Sequence, residues 1–175
     1  MGSRARPVIV VVSVIRLAQA ADVDSVAAIE KTSFGDPWPK AAFRRLIGDP
    51  LAIFLVGGNG ETPVDGYTVA VAVGGEGEVL NVAVSTEARR TGLGGKLLDA
   101  VLLELRARGV TVAFLEVRDS NASARGLYES RGFAQVARRR RYYVNPAEDA
   151  LVMRAALAPL SPDETRSGRE KFADL

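Results

Sequence analysis

The sequence predicts an α/β (α+β) fold, a single sheet with helices packed on it. Three observations point there. Apolar segments switch between strand and helix periodicity along most of the chain, and a glycine-rich turn links one strand to a helix and then to a nearly wholly apolar strand. The 175 residues are also enough to bury one core without metal or disulfide. Strand, helix and buried strand in that order form a β-α-β unit, so its two strands are expected to be parallel neighbours.

The elements follow in order. Residues 1–7 read as irregular and Val8 to Leu17, rich in β-branched side chains, as extended. Asp22 or Asp24 can cap a first helix that carries Val23, Val26, Ala27, Ile29 and Glu30. The prolines of SFGDPWP make a loop, and a second helix starts at Pro39 and ends near Gly48. Leu51 to Gly57 and Gly66 to Val73 are strands joined by a hairpin over GGNGETPVD, and Glu78 to Val84 (EVLNVAV) is a third. Leu93, Leu97, Leu98, Val101, Leu102 and Leu105 then recur at helical spacing, with Gly109 as the stop. Val110 to Arg118 reads as a strand covered on both faces. Ser120 or Asn121 caps a short helix ending before Gly132, and strands at Phe133 to Val144 and Ala150 to Leu157 complete the set. The organisation expected is an N-terminal extension over 1–13, one domain over 14–157 and a disordered tail over 158–175.

Between the third strand and the long helix lies RRTGLGGK, Arg89 to Lys96, with three glycines and three cations in eight residues. Glycine lets backbone N–H groups approach an anion, and the helix N-terminus adds partial positive charge. A Walker A loop would need glycine at Arg90 and a hydroxyl at Leu97, and a dinucleotide fingerprint from Gly92 would need glycine at Leu97. What remains is Arg-x-x-Gly-x-Gly over Arg89 to Gly94, a phosphate cradle of another kind, or an ordinary turn.

Composition removes several chemistries. No cysteine means no disulfide, no thiolate ligand and no acyl-cysteine; no histidine leaves Asp, Glu, Lys, Tyr or water as general base and makes a classical zinc site unexpected. A net charge of +2 does not call for nucleic acid. The apolar run Val8 to Ile15 is too short to span a bilayer and lacks a cleavage pattern, so no membrane and a cytoplasmic location are expected.

In an open sheet the ligand crevice lies at the carboxyl ends of parallel strands, which is where Val82 to Val84, the glycine loop and Arg118 to Asn121 must converge. Glu116, a lone carboxylate in AFLEVR, is either a base made available by burial or the partner of Arg118 on the same side of the strand. Tyr128, two turns into the short helix, points back to the strand ends or packs as an aromatic. Asn121 reads as a helix cap, a role compatible with holding a ligand.

Arg89-x-x-Gly92-x-Gly94 between strand and helix resembles the acetyl-CoA pyrophosphate loop of the GNAT N-acetyltransferases. Within that superfamily EVLNVAV, ARRTGLGGKLL, LEVRDSNASARGLYESRGF, RRRRYY and EDALVM, in this order, resemble the bacterial ribosomal-protein-alanine N-acetyltransferases (RimI), over roughly Val14 to Leu157. The resemblance implies a mixed, mostly antiparallel sheet with a central parallel pair. It implies acetyl-CoA as co-substrate, no metal, and direct attack by the N-terminal amine of a protein, a ribosomal protein by family habit. Glu116 would be the base and Tyr128 the proton donor to the leaving thiolate. Val82, Ala83 and Val84 would bind the acetyl-pantetheine arm, Arg89, Arg90, Thr91, Gly92, Leu93, Gly94 and Gly95 the pyrophosphate, and Asn121 the arm again. Trp38, Tyr142 and Tyr143 are candidate acceptor contacts, or core and rim aromatics. The chain departs from the pattern at Thr86, Ala88 and Gly95, which changes loop stiffness more than donor count, and Gly126 costs the short helix about 1 kcal/mol against alanine.

Two other readings stand beside this one. The same scaffold can acetylate lysines or small amines. Arg138 to Arg141 with the two following tyrosines could instead make an RNA- or ribosome-binding module, or simply a charged, solvated edge strand.

Overall fold

The computed structural model describes residues 13–161 and 164. The order is β1 (Val14–Leu17), α1 (Val23–Ser33), α2 (Lys40–Leu46), β2 (Ala52–Gly58), β3 (Gly66–Val73) and β4 (Glu76–Val84), then α3 (Leu93–Ala107), β5 (Val112–Arg118), α4 (Ala122–Glu129), β6 (Ala134–Val144) and β7 (Ala147–Ala156). Every predicted element is present. The start of the first strand, Val8 to Val12, lies outside the described residues, as do residues 1–7 and most of the expected tail. Two strands begin earlier than the sequence reading placed them. β4 starts at Glu76 because Gly74 and Gly75, at φ +60° and +84°, supply the two left-handed positions of a tight hairpin turn, and β7 starts at Ala147 directly after Asn145-Pro146.

The seven strands form one sheet in the order β1-β2-β3-β4-β5-β7-β6, antiparallel except for β4 and β5. Both faces are covered, and β2 shows why. Ile53 and Leu55 pack with Leu98, Val101 and Leu105 of α3, while the alternate residues Phe54 and Val56 join Val23, Val26 and Ile29 of α1 and Phe43 of α2. Asp22 does not cap α1 with its side chain. Its buried carboxylate instead accepts from the two terminal guanidinium nitrogens of Arg16 (2.7 and 2.8 Å), the Gln19 N–H and the Thr62 hydroxyl, fastening β1 to the loop after β2.

Two irregularities create the site. Along β3 the register steps from Val69 opposite Asn81 to Ala70 opposite Val79, so Leu80 is an extra residue and β4 bends there. The parallel pairing of β4 with β5 stops at Val79 opposite Leu115. Beyond that point β4 bonds only to β3 and β5 only to β7, and a cleft opens between them.

Candidate active site

The cleft has two chambers. One, of about 800 Å³, is lined by Val82, Ala83 and Val84, by Ala88 to Arg90 and Gly92 to Gly95 of the glycine loop, and by Asn121, Ser123, Ala124, Leu127 and Tyr128. No carboxylate lines it. Gly92, at φ +86°, turns the chain into α3 in a conformation that suits glycine, and no side chain caps that helix end. The first-turn N–H groups and the exposed Arg89 and Arg90, which make no ion pair among the described residues, therefore remain available to an anion. Thr91 stands apart from its neighbours. It does not line the chamber, and its hydroxyl is committed to the Ala88 carbonyl at 2.6 Å. Lys96 is exposed on the outside of α3.

The second chamber, about 460 Å³, is bounded by the Phe34 to Trp38 loop, by Glu78 to Val82, by Glu116 to Arg118 and by Tyr142 to Val144. Ser33, Phe34, Val82, Asn121, Ala124 and Tyr128 belong to both walls, so the chambers meet there. The sequence-predicted residues Trp38, Glu116, Asn121, Tyr128, Tyr142 and Tyr143 all reach this chamber.

Glu116 differs from expectation in its partner. Its carboxylate, 15% exposed, pairs with Arg139 of β6 at 2.8 Å and not with Arg118. Arg118 lies opposite Ala150, beside the β6–β7 hairpin, and is taken up there by the Asn145 and Pro146 carbonyls, by Glu148 at 3.3 Å and by the Tyr143 ring 4.1 Å from its guanidinium carbon. The carboxylate is therefore held by a cation rather than desolvated alone. Tyr128 is buried, edge-on to Phe133, and its hydroxyl makes no hydrogen bond among the described residues. Burial, with Tyr143 as a lesser cause, pushes it up to about 12, so it stays protonated and able to donate. Asn121 caps α4 by accepting from the Ala124 N–H at 3.1 Å while lining both chambers, so the two roles coexist. Tyr142 is raised by its hydrogen bond to Glu116, and Tyr143 is pushed up to about 12 by burial and by the same carboxylate.

A second polar group was not foreseen. The Glu30 carboxylate, on the buried face of α1, accepts from the Tyr67 hydroxyl, from Asn81 Nδ2 (3.2 and 3.4 Å) and from the Trp38 N–H at 2.9 Å. It ties α1 to β3, to the bulge in β4 and to the SFGDPWP loop. Burial and the neighbouring Glu30 raise the Tyr67 hydroxyl, which stays protonated. The available signals were a glutamate in the apolar stripe of α1 and an asparagine in EVLNVAV, each breaking an otherwise apolar pattern. The Ser33 hydroxyl, at the junction of the chambers, is buried without a hydrogen-bond partner among the described residues.

The arginine run lies on β6, an edge strand. Arg138 is engaged by Asp119 and Asp149 (2.6 and 3.2 Å) and Arg139 by Glu116, so half the run is already neutralised by the protein's own carboxylates. This favours the charged-edge reading over phosphate binding. Among the described residues no helix is long and apolar enough to cross a membrane.

The chain is similar in sequence and fold to known proteins. Residues 23–133 match the acetyltransferase (GNAT) family. The chain is 35% identical over 137 residues to the ribosomal protein bS18-alanine N-acetyltransferase of Escherichia coli (strain K12), covering 77% of this chain and 91% of that protein. The crystal structure of the ribosomal-protein-S18-alanine N-acetyltransferase from Escherichia coli superposes with a TM-score of 0.76 at 29% identity, covering 87% of this chain and 98% of that one. At 20% identity and a TM-score of 0.74, a chain of the NatC complex bound to Gag peptide and CoA shares the fold, over 83% of this chain and 99% of that one.

Proposed function

The chain belongs to the acetyltransferase (GNAT) family, and from that premise we propose that it moves the acetyl group of acetyl-CoA onto the N-terminal α-amino group of a protein. Its relatives are named for the alanine of ribosomal protein bS18, and a ribosomal protein beginning with alanine is the acceptor we assign to it. One observation carries the reading: a chamber of backbone donors and of cations unpaired among the described residues opens, at Val82 and Tyr128, into a chamber that the Glu116 carboxylate lines.

The donor chamber fits the co-substrate's chemistry. The N–H groups of Gly92 to Gly95, with Arg89 and Arg90, suit a pyrophosphate, and Thr91 contributes through the turn its hydroxyl holds. Leu93 enters the core and anchors the helix start. Where β4 has parted from β5, main chain at Val82, Ala83 and Val84 offers hydrogen bonds to an extended arm, one N–H being placed to polarise the acyl carbonyl. When bound, acetyl-CoA supplies an acetyl group already activated as a thioester.

The chain's own residues do the rest. Glu116 takes a proton from the acceptor's ammonium, freeing the lone pair that forms the new C–N bond. Tyr128 donates a hydrogen bond to the sulfur as the C–S bond breaks, steadying the departing thiolate, which takes up the second amine proton shed as the amide forms. With its hydroxyl pushed up to about 12, Tyr128 is a weaker acid than a thiol of ordinary value ~8.5, so it stabilises the leaving sulfur more than it protonates it. Direct transfer suits a sequence with no cysteine to carry the acetyl group.

Two features favour an α-amine over lysine. An α-amino group titrates near ~7.7–8.0 and a lysine near ~10.4, so less work is asked of the base. The α1–α2 loop also meets the β6–β7 hairpin at Gly35 and Asn145, which crowds the acceptor end of the cleft in favour of a chain terminus. Thiol release from acetyl-CoA, measured with an alanine-starting peptide and with the same peptide blocked at its N-terminus, tests the reading. Turnover should require the free terminus, and equal turnover of the blocked peptide through an internal lysine would reverse it.

A further inference from the structure

Glu116 lines the acceptor chamber, while its partner Arg139 is not among the lining residues and holds the carboxylate from the β6 side. The carboxylate is 15% exposed and Arg139 58% exposed, so the guanidinium lies on the solvent side of the group it holds. It arrives diagonally across β7. Glu116 is opposite Val152 and Arg139 opposite Ala150, and the small Ala150 side chain leaves the path between β6 and β5 open. Among the described residues Glu116 is the only ion-pair partner of Arg139, whereas Arg118 has two carbonyls, a carboxylate and an aromatic ring, and Arg138 has two carboxylates. Arg139 is thus the least anchored of the three.

Its surroundings also give it somewhere to go. Between Arg139 opposite Ala150 and Tyr143 opposite Glu148, β6 carries two more residues than β7, and Arg141 at φ +51° marks the bulge. Tyr142 within that bulge lies under the guanidinium, 5.4 Å from centroid to carbon, and is itself 45% exposed, so the cation keeps an aromatic face when it leaves the carboxylate.

We propose that Arg139 is a competitor for the acceptor built into the fold: its guanidinium holds the Glu116 carboxylate where the incoming α-ammonium must bind, and productive binding exchanges one cation for the other. This rests on Glu116 being the base proposed above. The exchange is a selection step, because a mostly buried carboxylate left without any cation is costly, so only an acceptor arriving charged can displace the arginine. It is also inexpensive for a charged acceptor, because a pair with one largely exposed partner is weak.

The test is peptide binding to the enzyme–CoA complex, where no acetyl is present to transfer, measured by calorimetry for wild type, Arg139→Gln and Arg139→Lys with an alanine-starting peptide. Loss of the competitor should tighten peptide binding about 2- to 5-fold and lower KM alike with kcat within about 2-fold, and lysine should restore wild-type affinity. An N-terminally acetylated peptide, lacking the ammonium, should show no gain. In a Glu116→Gln background, Arg139→Gln should change peptide affinity no further. Weaker peptide binding in Arg139→Gln, a fall in kcat with unchanged KM, or the same gain with Glu116→Gln would each overturn the proposal. CoA affinity in the same titrations reports whether each variant is folded. Turnover by Glu116→Gln alone reads the base assignment, so the two failures are told apart.

Discussion

Gly35 of the α1–α2 loop lies against the carbonyl oxygen of Asn145 in the β6–β7 hairpin, so closely that a Cβ built on the glycine would collide with it. The two segments that flank the acceptor chamber therefore touch through backbone. Arg118 fixes the hairpin side by donating to the Asn145 and Pro146 carbonyls at 3.0 Å each, and the Glu30 carboxylate fixes the loop side through the Trp38 N–H.

Gly35→Ala should pry these segments apart. Because the obstacle is backbone, relief needs a loop shift costing about 1–3 kcal/mol. The expected result is a KM for peptide raised about 10-fold, with acetyl-CoA affinity changed less because Gly35 lines the acceptor chamber and not the glycine-loop chamber. Steady-state kinetics with both substrates varied checks this, and equal losses for both would place Gly35 in general stability instead.

Tyr128→Phe should lower kcat about 100-fold, the cost of removing one hydrogen-bond donor to charge that develops in the transition state, while acetyl-CoA affinity holds within about 2-fold. Stability should change little, because the hydroxyl has no hydrogen bond within the described structure. Loss of CoA binding in calorimetry would make it a cofactor contact.

The Arg16–Asp22 pair predicts an acid limit to stability. Arg16 lowers the Asp22 carboxyl from 3.8 to about 2. A carboxyl lowered on folding stabilises above its unfolded value, and that contribution is lost as pH falls through the folded one, here between about pH 4 and 2. The amount is about 2 kcal/mol, since the side chain is fully buried. Urea denaturation at pH 7 and at pH 2.5 should show the loss in wild type, and Asp22→Asn should flatten that part of the profile while being less stable at pH 7.

Gly126→Ala should stabilise the protein. Nothing lies within 4 Å of a Cβ at that position, and the residue sits inside α4 without a positive φ. The gain expected is about 0.5–1 kcal/mol, read as a rise in Tm of a few degrees. If kcat also falls, flexibility of the helix carrying Tyr128 is part of turnover.

What was legible in the sequence follows from how local each signal is. Glycines at fixed offsets before a helix mark the loop that lines the larger chamber, and a lone glutamate in an apolar strand marks Glu116 in the smaller one. The Arg139 partnership was hidden because it needs three facts that sequence does not display. β7 inserts between β5 and β6, Ala150 sits in the diagonal path, and a two-residue bulge sets the register. Arg118 was the nearer partner by position, and long-range acceptors on the hairpin captured it. Glu30 is legible as a member of the first helix, but its partners Tyr67 and Asn81 arrive from two other strands. Thr91, expected among the phosphate contacts, is spent on the turn itself.

The most direct measurement is to locate the acetyl group by tandem mass spectrometry, using wild type and Glu116→Gln on one peptide that begins with alanine and carries an internal lysine. The expected result is acetyl on the α-nitrogen alone with wild type and at least about 100-fold less of it with Glu116→Gln. Acetyl on the lysine side chain, or an α-acetylated product formed undiminished by Glu116→Gln, would contradict it.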